Sequence, residues 1–380
     1  MITTILLIFS ILAGQLIKFP LFGIQGSTLL DVWVCLFSII GTFKIKFRLK
    51  KPSLVILSGL LFCLVAILSL IFTPLHLSTL EYLISFSYTL RFLLYLYLGW
   101  IIYSNAFPKF RKQISKTLLM SGIGFAILGI GQFIFFPNLK PLQNLGWDPH
   151  YFRTVSTFLD PNFAGAFFVL TLLLIGSGKK TTKLAIVFFV TVYIALLTTF
   201  SRSSYLMFLI SGLSFSFLKK SRVILFSTVI LFFLLLAGFK TYSELVAKPR
   251  GIDRGQSASF RLNTWQQGLT LFQESPILGI GFNSYRYALT EYHLADLEFL
   301  QSRGASTNDS SLIYLLSTTG LIGTIAYSLF LFSLIKTGIK NNAVLPAAIF
   351  GLIPHSFFAN SFFYPFILLW IVLKAADIAD

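Results

Sequence analysis

Apolar residues run along this chain in long unbroken stretches, not in the strict alternation of strands. A membrane-crossing helix needs about 20 mostly apolar residues. On that measure the pattern predicts helices at roughly 1–17, 27–43, 53–73, 81–104, 117–136, 162–178, 183–200, 203–218, 223–239, 310–335, 343–358 and 361–375. The expectation is an all-α polytopic integral membrane protein of about 12 spans, forming one membrane domain over residues 1–380. One long polar segment, 240–309, separates the ninth and tenth helices and lies outside the bilayer. Within it, Arg261–Gln273 has helical spacing, with Leu262, Trp265, Leu269 and Phe272 on one side, while Pro276, Gly279 and Gly281 mark a turn. The first apolar run lacks a basic start and a small-residue cleavage site, so it is expected to stay as a helix. No internal repeat or low-complexity tract is visible.

Composition and charge sharpen this picture. With 56% hydrophobic and only 11% charged residues, the chain does not have the balance of a water-soluble domain. Its formal charge of +17 raises the question of nucleic acid, but the basic residues sit mostly in alternate short connections. These carry Lys44, Lys46, Arg48, Lys50 and Lys51; Lys109, Arg111, Lys112 and Lys116; Lys179, Lys180 and Lys183; Lys219, Lys220 and Arg222; Lys336 and Lys340. Each group follows an even-numbered helix. The positive-inside rule then puts those loops and both termini in the cytoplasm and the long segment outside, with the bilayer, not nucleic acid, as the partner. Cys35 and Cys63 fall inside apolar runs, where they read as small buried hydrophobes.

The polar residues with chemical potential gather at the outer helix ends. Arg153 and the Asp160-Pro161-Asn162 turn precede the sixth helix, Ser201-Arg202-Ser203-Ser204 joins the seventh to the eighth, and Asp309 stands at the entry to the tenth. An arginine at such a junction either anchors to headgroups or meets an anion. The functional reading has Arg153, Arg202 and Arg261 converge on a lipid-linked diphosphate, since guanidinium forks bind phosphate oxygens bidentately. At an effective dielectric near 20, unit charges about 4 Å apart attract by about 4 kcal/mol, so two arginines would favour diphosphate departure. No metal or cofactor is implied: Asp296-Leu297-Glu298 is the nearest to a ligand motif, and no phosphate-binding glycine loop with Lys-Ser/Thr occurs. Asp309 has two readings, as a base for an incoming hydroxyl and as an N-cap ahead of Ser310 and Ser311. Gly320 and Gly323 read as residues for close helix packing. Arg91 and His355 are intramembrane ionisable outliers, each with a functional and a structural reading.

These residues resemble a family, the O-antigen ligase and polymerase-like proteins, which are bacterial membrane glycosyltransferases using polyprenyl-diphosphate sugars. Three stretches carry the resemblance: the Asp-Pro-Asn turn in TFLDPNFAGAF, the Thr-x-Ser-Arg junction in TTFSRSSYL, and the run from Arg261-x-x-x-Trp265 through Pro276-x-x-Gly279-x-Gly281 to Asp309 and Gly320-x-x-Gly323. They cover roughly residues 150–325 in the family's order, and HSFFANSFF around His355 and Asn360 adds to them.

The resemblance implies an inverting, metal-independent transfer on the extracytoplasmic face of a bacterial inner membrane. The donor is then a polyprenyl-diphosphate-linked oligosaccharide and the acceptor a glycan or lipid-glycan. Asp309 is the expected catalytic residue, Arg202, Arg261 and Arg153 the diphosphate ligands, and Asn162, Asp160, Trp265 and Ser310 the residues that shape the site. Arg91, His355 and Asn360 are secondary candidates. Ligases of the family carry His followed by Asn, Ser or Gln, separated by nine residues from the Gly-x-x-Gly, whereas this chain has Asp309-Ser310 there, which favours a polymerase over a strict ligase. A flippase for lipid-linked sugars and a non-catalytic scaffold are the alternatives. The orientation is testable in a cysteine-free background. Lys248→Cys is expected to react with an impermeant maleimide in intact cells and Lys46→Cys only after lysis; the opposite pattern would invert the topology.

Overall fold

A computed structural model describes residues 2–21, 24–145, 147–178, 182–251, 256–302 and 304–378 of the protein; the loop cations Lys179 and Lys180 lie outside the described residues. Each apolar run folds as a helix. The chain begins with α1 (Ile2–Ala13), then a two-stranded antiparallel hairpin, β1 (Lys18–Leu21) and β2 (Ile24–Thr28), which the all-α expectation did not include. The first helix stops short of residue 17: Gly14 turns with φ +55, and Gln15 donates its N–H to the carbonyl of Thr157 at 2.8 Å. There follow α2 (Leu29–Lys44), α3 (Leu54–Ile71), α4 (Thr79–Tyr103), the short α5 (Pro108–Arg111), α6 (Ile114–Phe135), α7 (Pro161–Gly176) and α8 (Lys183–Leu197). Next come α9 (Arg202–Lys219), α10 (Arg222–Tyr242), then α11 (Gln256–Glu274), α12 (Tyr285–Glu291) and α13 (Leu297–Gln301) in the long polar segment. The chain closes with α14 (Ser311–Asn341), α15 (Val344–His355) and α16 (Pro365–Ile378).

Among the described residues five helices are long and apolar enough to cross a membrane: α3, α4, α6, the run from Arg222 to Arg250 that contains α10, and Gly304–Asn341 that contains α14. Four more, α1, α7, α8 and α15, are apolar but only 10–17 residues long. At a rise of about 1.5 Å per residue such helices fall short of a hydrocarbon core about 30 Å thick. The outer faces of the bundle are apolar. Phe226, Ile230 and Phe233 on α10, Val187 and Val190 on α8, and Leu57, Leu61 and Leu64 on α3 are all exposed, which is affordable only where lipid replaces water. Inside, Phe62, Phe92, Phe282, Tyr314, Tyr327 and Phe363 form an aromatic cluster that joins α3, α4 and α14.

Arg91 is accounted for structurally. Its Nε pairs with Asp31 Oδ1 at 3.0 Å and its terminal nitrogen donates to the carbonyl of Gly26 at 2.9 Å, while Tyr95 donates its hydroxyl to the same carboxylate at 2.9 Å. An arginine within α4 thus finds its counter-charge on α2, which is how a bundle tolerates a buried ion.

α14 is broken in its first half. Gly320 sits at φ 62, ψ −163, a conformation essentially restricted to glycine. The break is filled by the Pro276–Gly281 turn: Ile280 and Gly281 donate their N–H groups to the carbonyls of Ser317 and Thr318 (2.9 and 3.1 Å), while Leu321 and Ile322 donate to Pro276 and Ile277 (2.9 and 3.2 Å). Non-helical backbone at this place keeps its hydrogen bonds by exchanging them with another segment. Gly320 therefore permits a loop, not a second helix, to approach, and Gly323 faces the Thr319 side chain of its own helix. A Cβ at 320 would lie 2.3 Å from the Ile277 carbonyl oxygen, whereas one at Gly131 meets nothing within 4 Å. Gly320→Ala is expected to cost about 1–3 kcal/mol, read as a lowered unfolding midpoint in detergent beside a Gly131→Ala control; equal midpoints would refute the docking.

Candidate active site

Three helices begin at the same end of the bundle, and the polar residues picked from the sequence form their starts. Asp160 caps α7, its Oδ1 accepting from the backbone N–H of Asn162 (2.6 Å) and Phe163 (3.1 Å), with Pro161 in the first-turn position where no N–H is needed. Ser201 caps α9, accepting from Ser204 N at 3.3 Å, and leaves Arg202 as the first helical residue with its side chain exposed. Asn162 ties the two starts together: its Oδ1 accepts from the hydroxyls of Ser201 (2.7 Å) and Ser203 (3.3 Å).

At α14 the cap is Ser310, whose Oγ accepts from Ile313 N at 3.4 Å. The capping role offered for Asp309 is therefore taken by its neighbour. Asn308 is fully buried and fixes the turn from the other side: its Oδ1 accepts from Ser310 N (2.9 Å), and its amide donates to the carbonyl of Thr264 on α11 and the hydroxyl of Tyr285 on α12. Asp309 stands between these two anchored residues. Among the described residues its carboxylate has no hydrogen bond or ion pair.

Arg261 on α11 links the parts electrostatically. Burial lowers its pKa, the carboxylates of Asp309 and Asp160 raise it, and the charge of Arg202 lowers it again, so one guanidinium lies in the field of all three. A guanidinium stays charged nonetheless. Asp309 stands ahead of α14, beyond its Ser310 cap, at the end of the bundle where α7 and α9 also begin. The carboxyl thus lies outside the helix. Burial pushes it up to about 6 from 3.8, Arg261 opposes this, and Asp148 and Asp160 add to it. Burial likewise raises Asp160, against its two amide hydrogen bonds and the charges of Arg153 and Arg261. The side chain of Arg202 lies over the ring of Phe239 (5.7 Å) and that of Arg261 over Phe358 (5.8 Å), so each cation rests on an aromatic face.

Other candidates have different surroundings. Arg153 donates to the carbonyls of Thr199 (2.8 Å) and Phe200 (3.4 Å), closing the turn between α8 and α9, and reaches Asp160 through its charge. Trp265, one turn beyond Arg261, packs on Phe357 and Phe358. His355, fully buried at the end of α15, meets Ser204 and Ser361. The Oδ1 of Asn360 is buried without a hydrogen-bond partner among the described residues. Arg91, held by Asp31, stays with α2 and α4. No metal-ligand motif stands out in the sequence here, but Asp148, His150 and Asp160 bring ligand atoms within 4.8 Å of one another. Asp148 and His150 belong to a loop whose path no local pattern shows. Asn308, Ser201 and Ser204 were also missed as structural residues, although all three sit inside the polar runs TNDSS and SRSS.

Residues 165–328 match the family model described as O-antigen ligase. The matched segment contains Arg202, Arg261, Trp265, Asp309 and Ser310, and it supports an O-antigen ligase-like family for this membrane protein. A search of curated proteins finds no match.

The raised carboxyl of Asp309 has a measurable consequence for stability. Between about pH 4 and 6 the folded state holds a proton that the unfolded chain releases, and above about 6 the buried charge is a cost to the folded state. Asp309→Asn removes that cost. It is expected to melt a few degrees above the native protein at pH 8, the gap closing as pH falls toward 4; a constant gap across this range would place the carboxyl in water.

Proposed function

We propose that the protein is a membrane glycosyltransferase that moves a glycan from a polyprenyl-diphosphate-linked donor to an acceptor hydroxyl on the extracytoplasmic face. One observation carries this reading: Arg261 shares its electrostatic surroundings with Asp309, Asp160 and Arg202. That set combines a base with two cations. The family match adds a glycosyltransferase-like activity and lipid-linked glycan substrates in a membrane.

In the proposed reaction the acceptor oxygen attacks the anomeric carbon while its proton passes to the carboxylate of Asp309. The bond from that carbon to the diphosphate oxygen breaks, with inversion. Arg202 and Arg261 hold the charge that develops on the leaving group, in half-dry surroundings that strengthen each contact. Asp160, Asn162 and Arg153 keep the starts of α7 and α9 in place around the donor, and Trp265 and Ser310 do the same for α11 and α14. A carboxyl raised to about 6 is ionised at neutral pH, yet basic enough to accept a proton in passing. Asp in place of the family's His favours a polymerase, which extends a glycan, over a strict ligase.

Purified protein with a lipid-linked oligosaccharide is expected to form a ladder of products; a single addition would mean a ligase, and no new glycosidic bond would leave transport. Asp309→Asn is expected to lower transfer by about 10²- to 10⁴-fold while donor binding persists. Arg261→Ala and Arg202→Ala are expected to weaken both donor binding and turnover. Full activity in the Asp309 variant would remove the base from the scheme.

A further inference from the structure

The turn that follows α15 touches every element of the site. His355, the last residue of α15, is fully buried where that turn begins, and both its ring nitrogens are engaged: Nδ1 with Ser361 Oγ at 2.6 Å and Nε2 with Ser204 Oγ at 3.3 Å. A neutral imidazole has one donor and one acceptor nitrogen, so one of these serine contacts receives the ring N–H and the other supplies a hydroxyl proton to the ring. Ser204 lies within 3.1 Å of the Asn162 carbonyl and 3.0 Å of Ser201 Oγ, so the ring leads directly into the joint between the starts of α7 and α9.

The other side of the same turn holds α14. Ser311 donates its backbone N–H to the carbonyl of Ser356 at 2.8 Å, and Phe362 donates its N–H to Ser311 Oγ at 3.3 Å. Asp309 lies two residues before Ser311. The flanks are aromatic. Arg261 and Trp265 lie against Phe358, and Tyr364 stacks on Phe163 at 4.0 Å with the rings parallel to within 1°. The turn thus provides a hydrogen-bonded route from the Asp309 segment to the Arg202 helix.

We propose that His355 is a positioning residue: through Ser204 on one side and the Ser361 turn on the other, it sets the spacing between the Asp309 carboxylate and the arginines. The inference rests on the glycosyl-transfer reading for its kinetic part only. Misplacing a base by a fraction of an ångström slows the chemical step more than it weakens ground-state binding.

The test uses the full-length protein in detergent or liposomes. His355→Leu keeps an apolar side chain in the buried space and removes both hydrogen bonds. It is expected to lower kcat at least tenfold with the donor KM within twofold. His355→Gln, whose amide reaches the Nε2 position, is expected to recover most of the rate. Ser204→Ala is expected to cost about as much, and the double variant no more than either single one, because both break one link. Equal rates in the Leu and native proteins, additive losses, or equal losses for Leu and Gln would overturn the proposal.

Hydrogen exchange decides the same point without activity. In His355→Leu the amides of 162–163 and 311–314 are expected to exchange faster together, with α3 and α4 unchanged; native-like protection at either start would refute the link. Native protein that transfers nothing ends the glycosyl-transfer reading alone, while the exchange pattern still reports on His355.

Discussion

A polar group inside this bundle has almost only protein to bond to. Lipid offers no hydrogen bonds, and an unmet N–H or C=O there costs several kcal/mol. The constraint explains the broken α14, whose freed backbone groups are returned by the Pro276–Gly281 turn. It also explains Arg91, which does not reach for a headgroup but takes Asp31 and a carbonyl from the neighbouring hairpin and helix. Satisfying polar groups in a dry interior ties distant parts of the chain to one another, and those ties place the helix starts.

The candidate site is what remains at the end of the bundle after those bonds are made. Asp160, Ser201 and Ser310 are consumed as caps, Asn162 and Asn308 as braces between helices. Asp309 is left over, a carboxylate without a structural task, beside a guanidinium on α11 that also feels Arg202 and Asp160. Opposite charges held near one another in half-buried surroundings, without being spent on each other as a tight ion pair, are suited to an incoming charged or ionising group. The family match over 165–328 contains Arg202, Arg261 and Asp309, so these residues lie within the segment that resembles O-antigen ligases.

Much of this was legible beforehand because hydrophobic pattern is a local property. Long apolar runs have one stable answer in lipid, so helix positions agree to within a few residues along most of the chain. The exceptions involve partners that the pattern does not encode. The first run ends at Ala13, where Gly14 turns and Gln15 bonds to the carbonyl of Thr157, far along the chain. Several apolar helices are shorter than a full crossing. The polar runs DPN, SRSS and NDSS were rightly read as helix entrances, since Asp, Ser and Asn bond to free N–H groups there. Which residue in each run does the capping was not readable, because Asp309 and Ser310 are comparably good N-caps one position apart.

By itself the sequence determined the solvent, the helices, and the rim residues that carry charge, since each follows from composition or from a few adjacent positions. Only the tertiary structure decided that Asp309 is released from capping, that Arg91 is bound to Asp31, and that Asp148 and His150 come near Asp160. These outcomes depend on contacts between residues tens to hundreds of positions apart. Pairings at that range are set by how helices pack, and no local pattern of side chains records them.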